Sequence, residues 1–560
     1  MNSKNSFVRK LVYLLIIALL LAPLYYIGRP AITKRENAPV NTARKPNPGG
    51  ELSVLRAQYK ISEANLGEVN PAGETIQWAT FGLKGVAAVM LWTQAQQFQK
   101  EEDYDRLSAT LNQIVLIQPN YVHVWESQAH NLSYNCSAEF DGYKQRYTWV
   151  KKGLEFLFKG VEQNENQPRL LNYTGWFFGQ KLGRADEAVQ FRREFARDTD
   201  FHDEVKDKLR ARGRIDFNEV MGPKKTPDNW LVAKQWQLAA QKVIDSKEIP
   251  VRGASPLIFF KDAAMSQINF ASRIEEEGYL GEIGQTAWRQ AQKDLETFGQ
   301  RTIPHSTGTF LKLGDLKAVQ QRLVAAQKAF DELLPGAEKA LKEKKLKSLT
   351  PTQLKAYETP IQQLDPLRLA DRQIAEERMA VTNAEIAATA PPEKKSEAVR
   401  MTLRLDSLKG ELERIIAYRQ QVNYDYWLTR CESEQTDAAI AARQAVYDGE
   451  KELQAGSLEK AKTTFENAFV KWAEIYQQYP LLARDVTALD LVRAIKNYFR
   501  TMSQLDLPIP KDFPLRPMLE AQGQNDLLQL IDGKPVEAPK QSPDAEPTPA
   551  APSDTAPPPK

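Results

Sequence analysis

Long runs of helix-forming residues, without the periodicity of β-strands, constrain this chain more than any other feature. Ala, Leu, Gln, Glu, Lys and Arg dominate between the two polar ends of the chain, and no stretch sustains the alternation typical of a strand. Hydrophobic residues make up 42% of the 560 residues and charged residues 26%, as in ordinary globular proteins. The sequence therefore predicts an all-α protein and excludes both wholesale disorder and a polytopic membrane protein.

The first 28 residues form a candidate membrane anchor. Basic residues precede an apolar run from Leu11 to Ile27, which has the length of a short membrane span, and no small-residue cleavage site follows it. We expect an uncleaved signal anchor that crosses the membrane through residues 11–27; a cleaved leader is the alternative. Basic residues flank the run on both sides, but the short N-terminal tail and the long C-terminal body favour an N-in topology. This topology predicts a single-pass protein of the cytoplasmic membrane with its body on the periplasmic side.

Changes in composition divide the rest of the chain into segments. Pro and Gly among polar residues predict a stalk before the body, and a Pro-rich end predicts a disordered tail, with a Pro-rich ligand for a partner domain as the alternative. The predicted order is a signal anchor (1–28), a stalk (29–50), helical repeats (51–222), a mixed helical segment (223–305), long helical hairpins resembling a coiled coil (306–430), a second helical repeat region (431–506), a connector (507–532) and a disordered tail (533–560).

Residues 431–506 carry the clearest repeat signal. Gly449, Gly456, Ala461, Phe465 and Ala468 fall in register with the small and aromatic positions of a tetratricopeptide (TPR) helical hairpin. Gly456 would end the first helix and allow the turn. The alternative is an accidental amphipathic hairpin.

Residues 51–222 contain three looser units of the same kind. Leu91 to Pro119 fits the apolar positions of a repeat, and a second unit opens at Val122, carries an inserted segment over 138–147 and is completed by residues 153–168. A third unit begins at Leu170. We expect these units to stack into a short TPR-like solenoid.

Several short motifs resemble one family of proteins. They are ANLGE (64–68), LKGVA (83–87), TLNQI (110–114), NLSYN (131–135), KLGRAD (181–186), DNWLV (228–232) and SPLIF (255–259). Over residues 60–305 the chain resembles a family of membrane-anchored planctomycete proteins with TPR-like repeats, sometimes labelled "iron responsive element". That phrase names an RNA structure and implies no protein function. The resemblance implies the anchor and the repeats, and it implies no catalytic residues.

Little in the sequence indicates a reaction. It contains no nucleotide-binding, nucleophile-elbow or zinc-protease motif, so we predict no catalytic, cofactor-binding or metal-binding residues. His123 and His130 could share a helix face, but a metal site needs a third ligand, so packing or surface roles are favoured. Cys136 and Cys431 make no disulfide framework; buried free thiols are favoured over a pair.

Three charged groups are candidates for a site. The triple Glu at 275–277 is interpreted as a solvated helix end rather than an acid/base pair. Glu139 and Asp141 lie among aromatic residues, and we favour a structural role for them, through bonds to arginine, over a binding surface. Lysines at 342–347 are interpreted as the basic end of a helix, because the interleaved aromatic residues of a nucleic-acid site are absent.

The sequence therefore favours a non-enzymatic scaffold or adaptor, anchored at the cell envelope, that binds a protein or peptide partner but no nucleic acid. The candidate partner-binding residues are Trp125, Asn131, Tyr147 and Trp176. Two alternatives stay open. One is an envelope enzyme of the hydrolase class that uses Glu139, Asp141 and His130; the other is a structural spacer.

Overall fold

The computed structural model describes residues 84–211, 217–247, 251, 255–305, 308–484 and 489–534, with isolated residues at 12, 16, 19, 23, 26, 27, 50, 51 and 54. Most of the predicted anchor, almost all of the stalk, most of residues 51–83 and all but two residues of the tail lie outside the described residues. Among those that are described, no helix combines the length and the apolar character needed to cross a bilayer.

The described protein is all-α, as predicted. Its helices follow one another with short turns, and one two-residue antiparallel strand pair interrupts them. The helices are α1 (Lys84–Lys100), α2 (Tyr104–Ile117), α3 (Val122–His130), α4 (Tyr143–Gln163), α5 (Pro168–Gly183), α6 (Ala188–Arg197), α7 (Thr199–Ala211), α8 (Asn229–Lys247), α9 (Pro256–Glu276), α10 (Glu282–Gly299), α11 (Leu316–Leu333), α12 (Ala337–Leu346), α13 (Pro351–Glu358), α14 (Pro366–Met379), α15 (Asn383–Ala388), α16 (Pro392–Gln421), α17 (Tyr424–Glu434), α18 (Asp437–Gln454), α19 (Leu458–Gln478), α20 (Leu489–Gln504), α21 (Arg516–Ala521) and α22 (Asn525–Ile531). The strands are β1 (Ile303–Pro304) and β2 (Phe310–Leu311).

The chain divides into two compact units. Of the described residues, unit 1 contains those up to 273 and 290–425, and unit 2 contains 274–289 and 426–534. Helices α9, α10 and α17 each contribute residues to both units.

Helices α1 and α2 of unit 1 form the hairpin that the sequence predicts before Pro119. The core of this hairpin contains Ala95 of α1 together with Leu107, Leu111 and Ile114 of α2. The residues of α2 recur every three or four positions, so they share one face of that helix. Asp103 begins α2: its carboxylate accepts a hydrogen bond from the backbone N–H of Arg106 at 3.0 Å.

The second unit differs from its predicted form. The predicted insert at 138–147 is shorter, because α4 already begins at Tyr143 and runs without a break to Gln163. Arg146, in the first turn of α4, closes the loop: its Nε donates to the carbonyl of Phe140 at 2.5 Å, and its guanidinium pairs with Glu187. Arg146 therefore bonds to Glu187, whereas Glu139 and Asp141, the carboxylates for which bonds to arginine were predicted, are exposed and form no ion pair within the described part of the chain.

Glycines let α5 lie unusually close to α8. Gly175, Gly179 and Gly183 recur every four residues along one face of α5. A Cβ on Gly179 or Gly183 would lie 2.6 Å from the Trp230 ring, so a larger residue would overlap the indole. This close packing fixes α5 against its neighbour.

The long hairpin predicted in 306–430 pairs α11 with α16. The two helices run antiparallel: Lys394 donates to the carbonyl of Leu333 at 3.1 Å, and Arg322 pairs with Glu411 at 3.0 Å. Between them the chain forms four shorter helices, α12 to α15, and Phe330 is buried at the centre of the local core. Lys345 belongs to the predicted basic stretch and lies in the last turn of α12. Its ammonium pairs with the carboxylate of Glu385 at 2.8 Å.

In unit 2, α18 and α19 form the hairpin that the sequence predicts. Gly456 adopts a left-handed φ of 76° in the turn, and a Cβ on Gly449 would lie 2.9 Å from the buried Phe465 ring. Glu452, which does not fit the repeat pattern, accepts a hydrogen bond from Thr464 at 2.6 Å across the two helices. The predicted connector is largely folded, because α21 and α22 add buried apolar residues to the core beside α20.

Candidate functional site

A six-residue π-helix follows α3 and spans Asn131–Cys136. π-Helical segments are rare and often occur at functional sites. This one places Tyr134 beside the exposed His130, with ring centroids 4.4 Å apart and planes inclined by 10°. Gly153 of α4 permits the approach of Ser133, whose hydroxyl donates to the carbonyl of Val150 at 3.4 Å.

A second aromatic pair lies on α5. Tyr173 and Trp176 stack with centroids 5.3 Å apart, and Trp176 is 37% exposed although it is among the largest apolar side chains. The spacing of three residues places both rings on one side of the helix. An exposed, stacked indole is typical of residues that contribute strongly to protein interfaces.

The buried Phe177 joins the two pairs. Its ring centroid lies 6.0 Å from that of Tyr134 and 6.1 Å from that of Tyr173. His130, Tyr134, Tyr173 and Trp176 therefore form one surface across two successive helical hairpins, which we call the aromatic face. Burial raises the pKa of both tyrosines, so both phenols are neutral at pH 7.

Charged residues border the aromatic face. The buried carboxylate of Glu126 binds Arg169 in a fork, with distances of 2.8 and 2.6 Å, so this acid is neutralised. Asp262 of α9 accepts from Asn172 at 2.8 Å, and burial raises the pKa of Asp262 to about 6. Lys181 places its ammonium 4.0 Å from the centroid of the Tyr134 ring. Partial desolvation and then Lys181 lower the pKa of His130, so the imidazole is neutral at pH 7.

The four predicted partner-binding residues do not lie together. Trp176 belongs to the aromatic face. Trp125 is 3% exposed, packs against Gly160, and donates from its indole to the carbonyl of Pro119 at 2.7 Å. Asn131 is buried at the start of the π-helix, where it bonds to Asn135 at 3.0 Å.

Tyr147 lies in a different concave region, between α4 and the end of α6. Its hydroxyl donates to Asp198 at 3.3 Å, and Lys151 pairs with the same carboxylate at 3.1 Å. Asp198 also accepts from the backbone N–H of Phe201 at 3.2 Å, at the start of α7. The concavity measures about 360 Å³ and contains acidic and basic side chains together. Because Asp198 joins three elements, this arrangement has an evident structural role.

The residues proposed for a hydrolase do not converge. Glu139 and Asp141 are exposed, whereas His130 stacks on Tyr134, and within the described chain no ion pair joins His130 to either carboxylate. His123 lies 3.2 Å from Glu126. A search of the described residues for clusters of His, Cys, Asp and Glu able to hold a metal ion found none.

Two other sequence-based interpretations are decided by the structure. Cys136 and Cys431 are both buried, and neither takes part in a disulfide. The interpretation of Glu275 as part of a solvated helix end is wrong: Glu276 and Glu277 are exposed, but Glu275 is buried in unit 2. The three side chains point in different directions around the helix end, so only Glu275 faces the core.

The sequence analysis missed Tyr134, Tyr173 and Lys181. Their spacing on the helices was visible, since His130 and Tyr134 are four residues apart and Tyr173 and Trp176 are three apart. The meeting of the two pairs at Phe177 is visible only in the tertiary structure. Comparison with known proteins adds no identification, because no protein-family model and no curated protein matches the chain.

Proposed function

We propose that this protein is a membrane-anchored, non-enzymatic adaptor that binds a protein or peptide partner at the cell envelope, and that the aromatic face is its binding surface. In this proposal the hairpins of unit 1 and the α18–α19 hairpin are TPR-like repeats, as in the planctomycete family that the sequence resembles. The anchor would hold the body on the periplasmic side of the cytoplasmic membrane.

One observation supports the proposal above the others. Two stacked aromatic pairs from successive hairpins meet over Phe177 and leave Trp176 exposed. Rings fixed by packing lose little conformational entropy on binding, so they provide contact area at low cost. The glycine contacts between α5 and α8 support the same role, because they hold the helix that carries Tyr173 and Trp176 in one position.

Site-specific crosslinking in the native membrane tests the proposal. A photoreactive amino acid at position 176 of the full-length protein should give a discrete crosslinked partner, whereas the same probe at Val189, an exposed residue of α6, should not. Trp176→Ala should abolish co-isolation of that partner without changing the amount of protein, and Val189→Ala should leave it intact. Equal crosslinking from both positions, or self-crosslinks alone, would contradict the proposal.

The long α11–α16 hairpin favours a second candidate, a structural spacer. Helix α16 has 30 residues, which corresponds to about 45 Å at the usual rise of an α-helix. Small-angle scattering of the full-length protein would distinguish a spacer, which should be elongated and independent of Trp176, from an adaptor.

A further inference from the structure

Lys181 differs from the other buried cations of the described chain. The buried lysine and arginine side chains there are Lys181, Arg192, Arg419 and Arg430. Each of the arginines pairs with a carboxylate: Arg192 with Asp228 at 2.9 Å, Arg419 with Asp425, and Arg430 with Glu434 at 3.5 Å. Lys181 is 7% exposed, and its contacts are with rings, at 4.0 Å from the centroid of Tyr134 and 5.8 Å from that of Phe191.

The carboxylates nearest in sequence do not neutralise Lys181. Glu187 is engaged by Arg146, and Asp186 is exposed; neither forms an ion pair with Lys181 in the described structure. Burial, the largest cause, lowers the pKa of Lys181, and the attraction of Glu187 and Asp186 offsets it only in part, which is the expected response of an ammonium that lacks a full counter-charge. A contact with an aromatic face offsets only part of such a desolvation cost. Lysine is seldom buried unless it is paired, so a carboxylate from a partner within reach of this ammonium would stabilise its charged form.

The position of Lys181 relative to the aromatic face indicates which ligand could bring a carboxylate to it. Its ammonium lies against the ring of Tyr134, which is itself part of the face. The other charged groups there are Glu126, neutralised by Arg169, and Asp262, which bonds to Asn172 on the same helix as Trp176. Lys181 and Asp262 therefore place one basic and one acidic group next to residues of the two helices that form the face.

We propose that Lys181 binds a carboxylate of an acidic peptide segment that lies across the aromatic face, with its apolar side chains against Tyr173 and Trp176. This inference rests on the proposed adaptor function and adds the chemical class of the partner. We favour a carboxylate as the group that binds Lys181, because an ammonium binds an anion as a point charge. We favour a peptide as the ligand, because the neighbouring stacked rings suit its backbone and apolar side chains. An acidic residue would bind at the Lys181 end, and an uncharged or basic residue would lie near Asp262.

An array of random octapeptides, sorted by net charge and probed with the full-length protein in detergent, tests the inference. A charge-assisted hydrogen bond contributes about 1.5–3 kcal/mol, so acidic peptides should bind at least about tenfold more tightly than neutral peptides of matched apolar content. The preference should weaken as the salt concentration rises. Basic peptides should bind least.

Two variants separate charge from packing. Lys181→Met keeps the length and apolar stem of the side chain, so the variant should fold, with its helicity and unfolding temperature unchanged or raised. It should bind acidic and neutral peptides with about equal affinity. Lys181→Arg keeps the charge and should retain the preference. Trp176→Ala should weaken binding of acidic and neutral peptides alike.

The outcomes distinguish this inference from the proposed function. If the peptides bind in a Trp176-dependent manner but without charge preference, or if Lys181→Met keeps the preference, the acidic partner is excluded and the adaptor function stands. If Lys181→Met unfolds the protein while Lys181→Arg does not, Lys181 is a structural cation and the inference fails. If no octapeptide binds, the inference also fails, and crosslinking at position 176 then decides the adaptor function separately.

Discussion

In unit 2 four charged side chains share one buried cluster, whereas in unit 1 the ammonium of Lys181 is buried against aromatic rings. In the cluster, Arg443 bonds both oxygens of Glu434 and lies 3.8 Å from Glu275, and Arg430 lies 3.5 Å from Glu434. Each guanidinium there has a carboxylate partner supplied by the fold. At Lys181 the close contacts are rings, and Glu187 and Asp186 offset the desolvation of the ammonium only in part.

The difference shows how buried charge can be interpreted in a protein of this kind. A closed set of ion pairs specifies how helices pack and is sensitive to the loss of any member. A single buried cation without a counter-ion contributes little to packing, and natural proteins retain such features mainly at functional positions. The predictions below test both halves of this comparison.

The largest effect is expected for Arg443→Met. This change leaves Glu275 and Glu434 with one guanidinium between them, and breaking a buried pair costs about 3–5 kcal/mol. Hydrogen exchange by mass spectrometry should show loss of protection in residues 426–484. Arg322→Met, which breaks the exposed pair with Glu411, is the matched control and should cost less than about 1 kcal/mol. Equal effects of the two changes would show that the cluster has no special role.

The next prediction concerns pH. Burial, followed by repulsion from Glu434, raises the pKa of Glu275 from 4.5 to about 8. The folded state therefore holds a proton on Glu275 that the unfolded chain releases above about pH 4.5. The stabilising contribution of this group is complete below about pH 4.5 and is lost as the pH rises toward about 8. Urea unfolding of unit 2 across this range should show that decline, and Glu275→Gln should remove it. An unchanged pH dependence in the variant would contradict the burial of an ionisable group here.

A smaller effect is expected where α5 contacts α8. Gly179→Ala places a Cβ against the Trp230 ring and should destabilise unit 1 by about 1–3 kcal/mol through overpacking. Gly85→Ala is the matched control, because it is also in a helix and meets nothing within 4 Å. That change should be neutral or stabilising by up to about 1 kcal/mol. Thermal unfolding of the two variants provides the measurement, and it also tests how firmly α5 is fixed beneath Tyr173 and Trp176.

The smallest effect on stability is expected for Lys181→Met. Removing a buried charge that lacks a counter-ion should change the free energy of unfolding by no more than about 1 kcal/mol, in the stabilising direction. The changes in the free energy of unfolding caused by Lys181→Met and Arg443→Met can then be compared directly, since both variants replace a cation by an apolar side chain. A loss of several kcal/mol would place Lys181 with the structural charges of unit 2.

Much of the local structure could be predicted from the sequence. The α1–α2 and α18–α19 hairpins follow from apolar residues repeated every three or four positions and, for α18–α19, from the turn at Gly456, which are local signals. The candidate site was predicted only at Trp176. Trp125 and Asn131 looked equally suitable, and nothing local distinguishes an aromatic residue that fills a core from one that remains exposed. Glu275 illustrates the same limit, because which of three adjacent acids faces inward depends on helices far along the chain.

The sequence by itself determined that this chain is built from helices, where a few of its helical hairpins lie, and that it carries none of the familiar catalytic motifs. These properties depend on neighbouring residues, whose propensities and periodicity act over a few turns. Only the tertiary structure decided that His130, Tyr134, Tyr173 and Trp176 form one surface and that Lys181 is buried beside it without a carboxylate. Burial and pairing depend on residues brought together from separate hairpins, and short-range patterns in the sequence do not encode those distances.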